Sequence, residues 1–244
     1  MEDKASGKSW ARVPFARVFF RMIKVLGAGL FAGLIMAIIS AAVFIWLADE
    51  GFEGSTKLFD DNIRETLHQA ATPALTYAMM AASFLGSFNW LFPLGLFIFV
   101  LFLVIKWKRD LVLFLLTMAG EQILDPVLKN FFQRARPEVF FDYPLPTSYS
   151  FPSGHAFASL CFYGILAWLI TARLENPPAK AAVWIFAALL IFSIGLSRIY
   201  LGVHYPSDVI AGYLMAFVWV ITIALGDLWF TRRRDARSVP ERRG

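Results

Sequence analysis

Long apolar stretches separated by short charged clusters organise this chain. Six runs, at about 23–47, 88–105, 111–132, 156–171, 181–196 and 209–230, approach or exceed the roughly 20 helical residues that cross about 30 Å of hydrocarbon. Pro137, Pro144, Pro146 and Pro152 make the connection between the third and fourth runs a loop, because proline lacks the N–H that a helix needs. Asn176-Pro177-Pro178 marks the next turn. A cleaved signal peptide is the competing account of the first run. The core of such a peptide holds only about 7–15 apolar residues, so this longer run reads as a retained helix. Its Gly29 and Gly33 have the spacing of a close helix–helix contact.

Residues 49–71 are polar and acidic. Leu58, Ile63 and Leu67 recur there at near-helical spacing, as in an amphipathic helix lying in the interface. Residues 74–85 either continue along the surface or enter the bilayer. The resulting expectation is an all-α, polytopic membrane protein with six transmembrane helices in one bundle and an interfacial amphipathic segment. The bundle occupies residues 22–231, between basic tails at 1–21 and 232–244.

Composition sharpens this picture. Hydrophobic residues make up 58% of the chain and charged residues 17%, against roughly 25% charged in soluble domains. A net charge of +5 on a soluble protein would point to nucleic acid. Here most of the positive charge lies in the terminal segments and in the loops at 106–110 and 172–180, so it sets membrane orientation and implies no nucleic-acid partner. With six crossings these segments share one side. Of the 23 Lys and Arg residues, only Lys57, Arg64, Lys129, Arg134, Arg136 and Arg198 fall on the other. By the positive-inside rule both termini are cytoplasmic. The single cysteine, Cys161, sits in an apolar run and reads as a small buried residue.

Three polar clusters fall at the non-cytoplasmic ends of the last four runs. They are Lys129 to Arg136-Pro137, Pro152-Ser153-Gly154-His155, and Ser197-Arg198 followed by His204 and Asp208. Singly, each cation could be an interfacial anchor whose head reaches water. Lys129, Arg136 and Arg198 together, with two histidines and no matching carboxylates, call for an anion, and phosphate suits arginine's planar fork. Ser153 could simply cap a helix, but free N–H groups at a helix start also bind anions, and Gly154 permits close approach. His204 and Asp208, four apart, form either a structural pair or an oriented nucleophile. Asp125 could hold Lys129 toward the site, and Glu121 would lie about 12 Å below it. Arg134 is expected to be an interfacial anchor, within reach of a diphosphate.

These clusters resemble, in order and internal spacing, the three signatures of the type 2 phosphatidic acid phosphatase superfamily, which includes bacterial phosphatidylglycerol-phosphate and undecaprenyl-diphosphate phosphatases. The resemblance implies that His204 attacks phosphorus to give a phosphohistidine, that Asp208 orients it, and that His155 protonates the leaving oxygen. It implies that Lys129, Arg136, Arg198, Ser153 and the Gly154 amide hold the phosphate, with no metal and no other cofactor. The implied partners are a phospholipid bilayer and a membrane lipid phosphate. The implied location is a bacterial inner (plasma) membrane with the site on the periplasmic face. Undecaprenyl diphosphate, phosphatidylglycerol phosphate, phosphatidate and a phosphorylated saccharolipid are candidate substrates. A lipid phosphotransferase using the same intermediate, or a non-enzymatic anion-binding or transport protein, are the alternatives. The soluble haloperoxidases that share the signatures are excluded by the apolar spans.

Overall fold

The computed structural model describes residues 27–141 and 143–238; the tail at 1–21, the start of the first apolar run and residues 239–244 lie outside them. The described chain is helical: α1 (Ala28–Glu53), α2 (Lys57–Gln69), α3 (Pro73–Leu85), α4 (Phe88–Val104), α5 (Lys108–Phe132), α6 (Gly154–Thr171), α7 (Pro177–Tyr200) and α8 (Pro206–Ser238). Helices α1, α5, α6, α7 and α8 are each long and apolar enough to cross a membrane. The protein is therefore a multi-pass membrane protein.

The remaining crossing differs from the expected single run. Helix α4 has only 17 residues, about 26 Å at 1.5 Å per residue. Helix α3 leads into it at a 45° bend, and the pair together makes the sixth candidate span. The break falls at Gly86-Ser87, where a Cβ on residue 86 would meet Ile194 Cγ2 and, at 3.3 Å, His155 Cδ2. Thr72 starts α3 by accepting the Leu75 N–H at 3.2 Å, with Pro73 in the first helical position. Asn176 and Pro177 begin α7 in the same way, with Asn176 Oδ1 3.4 Å from the Ala179 N–H.

Helix α1 runs beyond Leu47 to Glu53, where Gly54 at φ 80° closes it by donating to the Glu50 carbonyl. Gly33 faces Ile221 of α8 closely enough that a Cβ would stand 3.0 Å from it, whereas Gly29 meets nothing within 4 Å among the described residues. Among those residues, the second glycine makes the anticipated close contact and the first does not. Helix α2 is amphipathic, but its apolar stripe is not the one expected. Leu58 is 79% exposed, while Ile63 and Leu67 pack inward beside the buried Asp60 and Arg64.

Helix α6 is the most enclosed span: 61% of its stretch is buried, against 17–33% in the other single-helix spans. It includes a π-helical turn at Leu160–Gly164. Phe157, Cys161, Phe162 and Ile165 on it are inaccessible, packed against α5 and α8. Large apolar side chains such as Ile38, Ile45, Phe97, Phe186 and Phe192 stay exposed on the perimeter, as expected of surfaces solvated by lipid. Because α5 to α8 alternate in direction, the end of α5, the start of α6, the end of α7 and the start of α8 meet at one rim. The opposite rim carries Lys108, Arg109, Arg173, Lys180, Arg232 and Arg233. There Arg109 pairs with Asp227, and Arg173 with Asp110.

Candidate active site

At the first rim a cavity of about 620 Å³ is lined by Lys129, Arg136, Gly154, His155, Arg198 and His204. The three sequence clusters thus converge. The same cavity continues between α4 and α5, where Phe88, Leu91, Phe92, Leu96, Phe99, Phe114 and Met118 line it. One end is cationic and the other apolar, the shape and polarity of an amphiphile's binding site.

His204 lies just outside α8, not within it. Asp208, in the first turn, reaches back to accept the Tyr205 N–H at 2.9 Å, in the manner of a capping box. This fold-back brings Asp208 Oδ2 to 3.4 Å from His204 Nδ1. Asp208 Oδ2 also accepts from Ser150 Oγ at 2.5 Å, and Oδ1 from Arg134 Nη1 at 2.6 Å. The carboxylate is fully buried and every lobe of it is engaged. His204 is enclosed too. Burial pushes its imidazole down to about 3, outweighing the opposing pull of Asp208. At neutral pH it is uncharged, with Nδ1–H directed to the carboxylate.

Arg136 is held by backbone oxygens. Its Nε donates to the Ser148 carbonyl at 2.7 Å, Nη1 to Val203 at 2.8 Å and Nη2 to Tyr149 at 3.2 Å. Burial, with Arg198 nearby, lowers it to about 10, so it stays cationic at neutral pH. Arg198, almost fully buried, donates through Nη1 to Ser83 Oγ and to Tyr143 Oη. Lys129 Nζ meets Asp125 Oδ2 at 2.6 Å. Gly154 makes room for that pair: a Cβ there would stand 2.7 Å from Lys129 Nζ and 2.9 Å from Asp125 Oδ1.

Ser153 occupies the N-cap position of α6 but makes no side-chain capping bond. Its Oγ and Arg198 Nε are buried without a partner among the described residues. Such orphaned donors are costly, and a bound oxyanion would satisfy both. Glu121 lies deeper on α5, its carboxylate bonded by Gln122 at 2.7 Å. Among the described residues no three His, Cys, Asp or Glu side chains converge as a metal would require.

One expectation is overturned. Arg134 is not an interfacial anchor: it turns inward to Asp208 and to Asp60, 3.0 Å away. Burial between two carboxylates and over the Tyr205 ring outweighs snorkelling to water. Sequence reasoning also missed Asp60, Ser83, Tyr143 and Ser150. Of these only Asp60 had a signal, a carboxylate in register with Ile63 and Leu67 on the inward stripe of α2.

Residues 110–232 match the PAP2 superfamily. The chain is 30% identical over 176 residues to phosphatidylglycerophosphatase B of Bacillus subtilis (strain 168), covering 72% of this chain and 86% of that protein. It is 34% identical over 119 residues to a lipid A 1-phosphatase of Rhizobium johnstonii, covering 45% of this chain and 44% of that one. Its fold is similar to the crystal structure of a transmembrane PAP2 type phosphatidylglycerolphosphate phosphatase from Bacillus subtilis. That match has a TM-score of 0.71 and 26% identity, over 84% of this chain and 98% of the other.

Proposed function

This chain belongs to the PAP2 superfamily of membrane lipid phosphatases, and from that premise we propose that it hydrolyses a lipid phosphate or diphosphate through a phosphohistidine on His204, without a metal. The observation that carries the reading is the pairing at His204: Nδ1 on the buried Asp208 carboxylate and Nε2 facing Arg136 inside the cationic cavity. The lipid phosphate names of its relatives support the substrate class.

Lys129, Arg136, Arg198, Ser153 and the Gly154 amide hold the phosphate oxygens and neutralise charge on the phosphoryl group, work that magnesium does in other phosphotransfer sites. Asp125 keeps Lys129 turned to the site. His204 Nε2 attacks phosphorus and the bond to the lipid oxygen breaks as His155 gives that oxygen a proton. Water, deprotonated by His155, then attacks the phosphohistidine; the P–N bond breaks and inorganic phosphate leaves. Asp208 stays ionised throughout and balances the positive imidazole ring of the intermediate.

The lipid tail lies in the apolar arm between α4 and α5 while the headgroup meets the cations. The basic rim is cytoplasmic by the positive-inside rule, which puts the site on the periplasmic side of an inner membrane. The deciding experiment is trapping of radiolabelled phosphate from a labelled lipid phosphate by rapid quench into alkaline detergent. The purified enzyme should yield an acid-labile, base-stable phosphoenzyme that His204→Ala lacks. Normal phosphate release by His204→Ala would end the proposal.

A further inference from the structure

We infer that Asp60 of α2 is a positioning residue for the His204–Asp208 pair, acting through Arg134; this rests on the histidine mechanism proposed above. Asp60 and Asp208 are both completely buried, and Arg134 bridges them. Arg134 gives Nη2 to Asp60 Oδ2 at 3.0 Å and Nη1 to Asp208 Oδ1 at 2.6 Å. Ser207, next to Asp208, closes the ring: its N–H and Oγ donate to Asp60 at 2.9 and 2.7 Å, and its Oγ also accepts from Arg134 Nη1 at 2.8 Å.

The arrangement does two things. It clamps the first turn of α8 to α2, so Asp208 cannot swing away from the imidazole. It also sets charge. Arg134 alone beside Asp208 would cancel the carboxylate that must balance the developing imidazolium. Asp60 restores one net negative charge to the three-residue chain. Buried charges left unpaired are strongly unfavourable, so neither Asp60 nor Arg134 is a passive occupant. Helix α2 is further fixed by Arg64, which donates to the Glu138 carbonyl at 2.7 Å, and by His68, stacked on Phe140 at 4.2 Å.

The other groups facing this chain are identifiable. Arg136 and Ser150 from the α5–α6 loop, His155 from the start of α6 and the Arg198 charge from α7 act on His204. Thr56 and the Tyr205 ring face Arg134. All of them stay constant across the variants below. Asp61, one residue along, points outward to Arg64 at 3.7 Å and is 45% exposed. Removing its charge changes the net charge equally without touching the network.

The test compares Asp60→Asn, Asp60→Glu, Arg134→Gln and Asp61→Asn in detergent, measuring kcat, KM and the acid limb of kcat/KM against pH, with a thermal melt of each. Asp60→Asn should lower kcat by about 10- to 100-fold with KM within about threefold, and Asp61→Asn should match the parent. Asp60→Asn should move the acid limb to lower pH, because the imidazole loses negative surroundings. Arg134→Gln should move it to higher pH. Asp60→Glu, which keeps the charge but displaces it, should lower kcat and leave the limb in place. Loosening of the structure alone would not give shifts of opposite sign.

Normal kcat in Asp60→Asn, or shifts of one sign in both charge variants, overturns the inference. If Asp60→Asn cannot be recovered folded, Arg134→Gln and Asp60→Glu decide it by the same criteria. Collapse of all three would assign the network to stability alone and overturn it too. His204→Ala separates the two levels: turnover in that variant sinks the mechanism, whereas an inactive His204→Ala beside a normal Asp60→Asn sinks only the role of Asp60.

Discussion

Arg136 Nη1 stands 3.1 Å from His204 Nε2. A guanidinium has only donors, so Nε2 is the nitrogen that bears the lone pair, and Arg136 occupies that lone pair before substrate arrives. In the proposed mechanism a phosphate entering the cavity competes for the same N–H, which would free Nε2 as it draws phosphorus toward it, so that one side chain would prepare both nucleophile and electrophile.

Arg136→Lys keeps the charge but loses the fork that bonds the Ser148, Tyr149 and Val203 carbonyls. The ammonium cannot hold that place. The expected outcome is a drop in kcat of about 100-fold, the scale seen when one transition-state donor is removed. Steady-state phosphate release from a lipid phosphate in mixed micelles checks it, and near-parental kcat would refute the assignment.

His155→Ala removes the group proposed to protonate the leaving oxygen. An alkyl leaving group needs that proton and an activated aryl oxide does not, so the loss should be about 100-fold or more on a lipid phosphate. On p-nitrophenyl phosphate it should be much smaller. Comparing the two kcat/KM ratios is the measurement, and equal losses would remove His155 from the acid role.

Gly154→Ala tests the packing of Lys129. Gly154 is the first helical residue of α6 and its φ is not left-handed, so alanine can adopt its backbone and the fold should persist. The added methyl would stand 2.7 Å from Lys129 Nζ and 2.9 Å from Asp125 Oδ1, forcing the pair aside. A displacement near 1 Å can cost about 100-fold in rate. An unchanged melting temperature with sharply reduced turnover is the expected result; unimpaired turnover would show that Lys129 has room to spare.

Much of the fold was legible because hydrocarbon imposes length and polarity on each span. The runs around α5 to α8, the loop between Arg136 and Ser153, and the shared rim of Lys129, His155, Arg198 and His204 all follow from that constraint. Helix α3 was not legible: at 13 residues it is too short to span alone, and its bend into α4 depends on packing against α7. Nor was the Arg134 pairing, because Asp60 and Asp208 each lie 74 residues away along the chain and no local pattern joins them. Ser150 and Tyr143 sit in a loop without periodicity, so their places come only from the fold.

The burial that keeps His204 neutral also makes stability depend on pH. Its value falls from the ordinary 6.5 to about 3 in the folded protein, chiefly through desolvation. Between those two values the unfolded chain holds a proton that the folded chain refuses. Stability therefore rises with pH across that window, is complete above about 6.5, and is lost as pH falls toward 3. The slope from one such group is at most about 1.4 kcal/mol per pH unit. His204→Asn has no proton to take up, so it should flatten this part of the curve while the carboxylates elsewhere keep theirs. Denaturation of the two proteins in detergent between pH 4 and pH 7 (on the order of four points suffices for a one-proton slope) measures the difference. If the two curves run parallel, His204 is as protonatable in the folded protein as in the unfolded chain, and the imidazole is not the desolvated nucleophile described here.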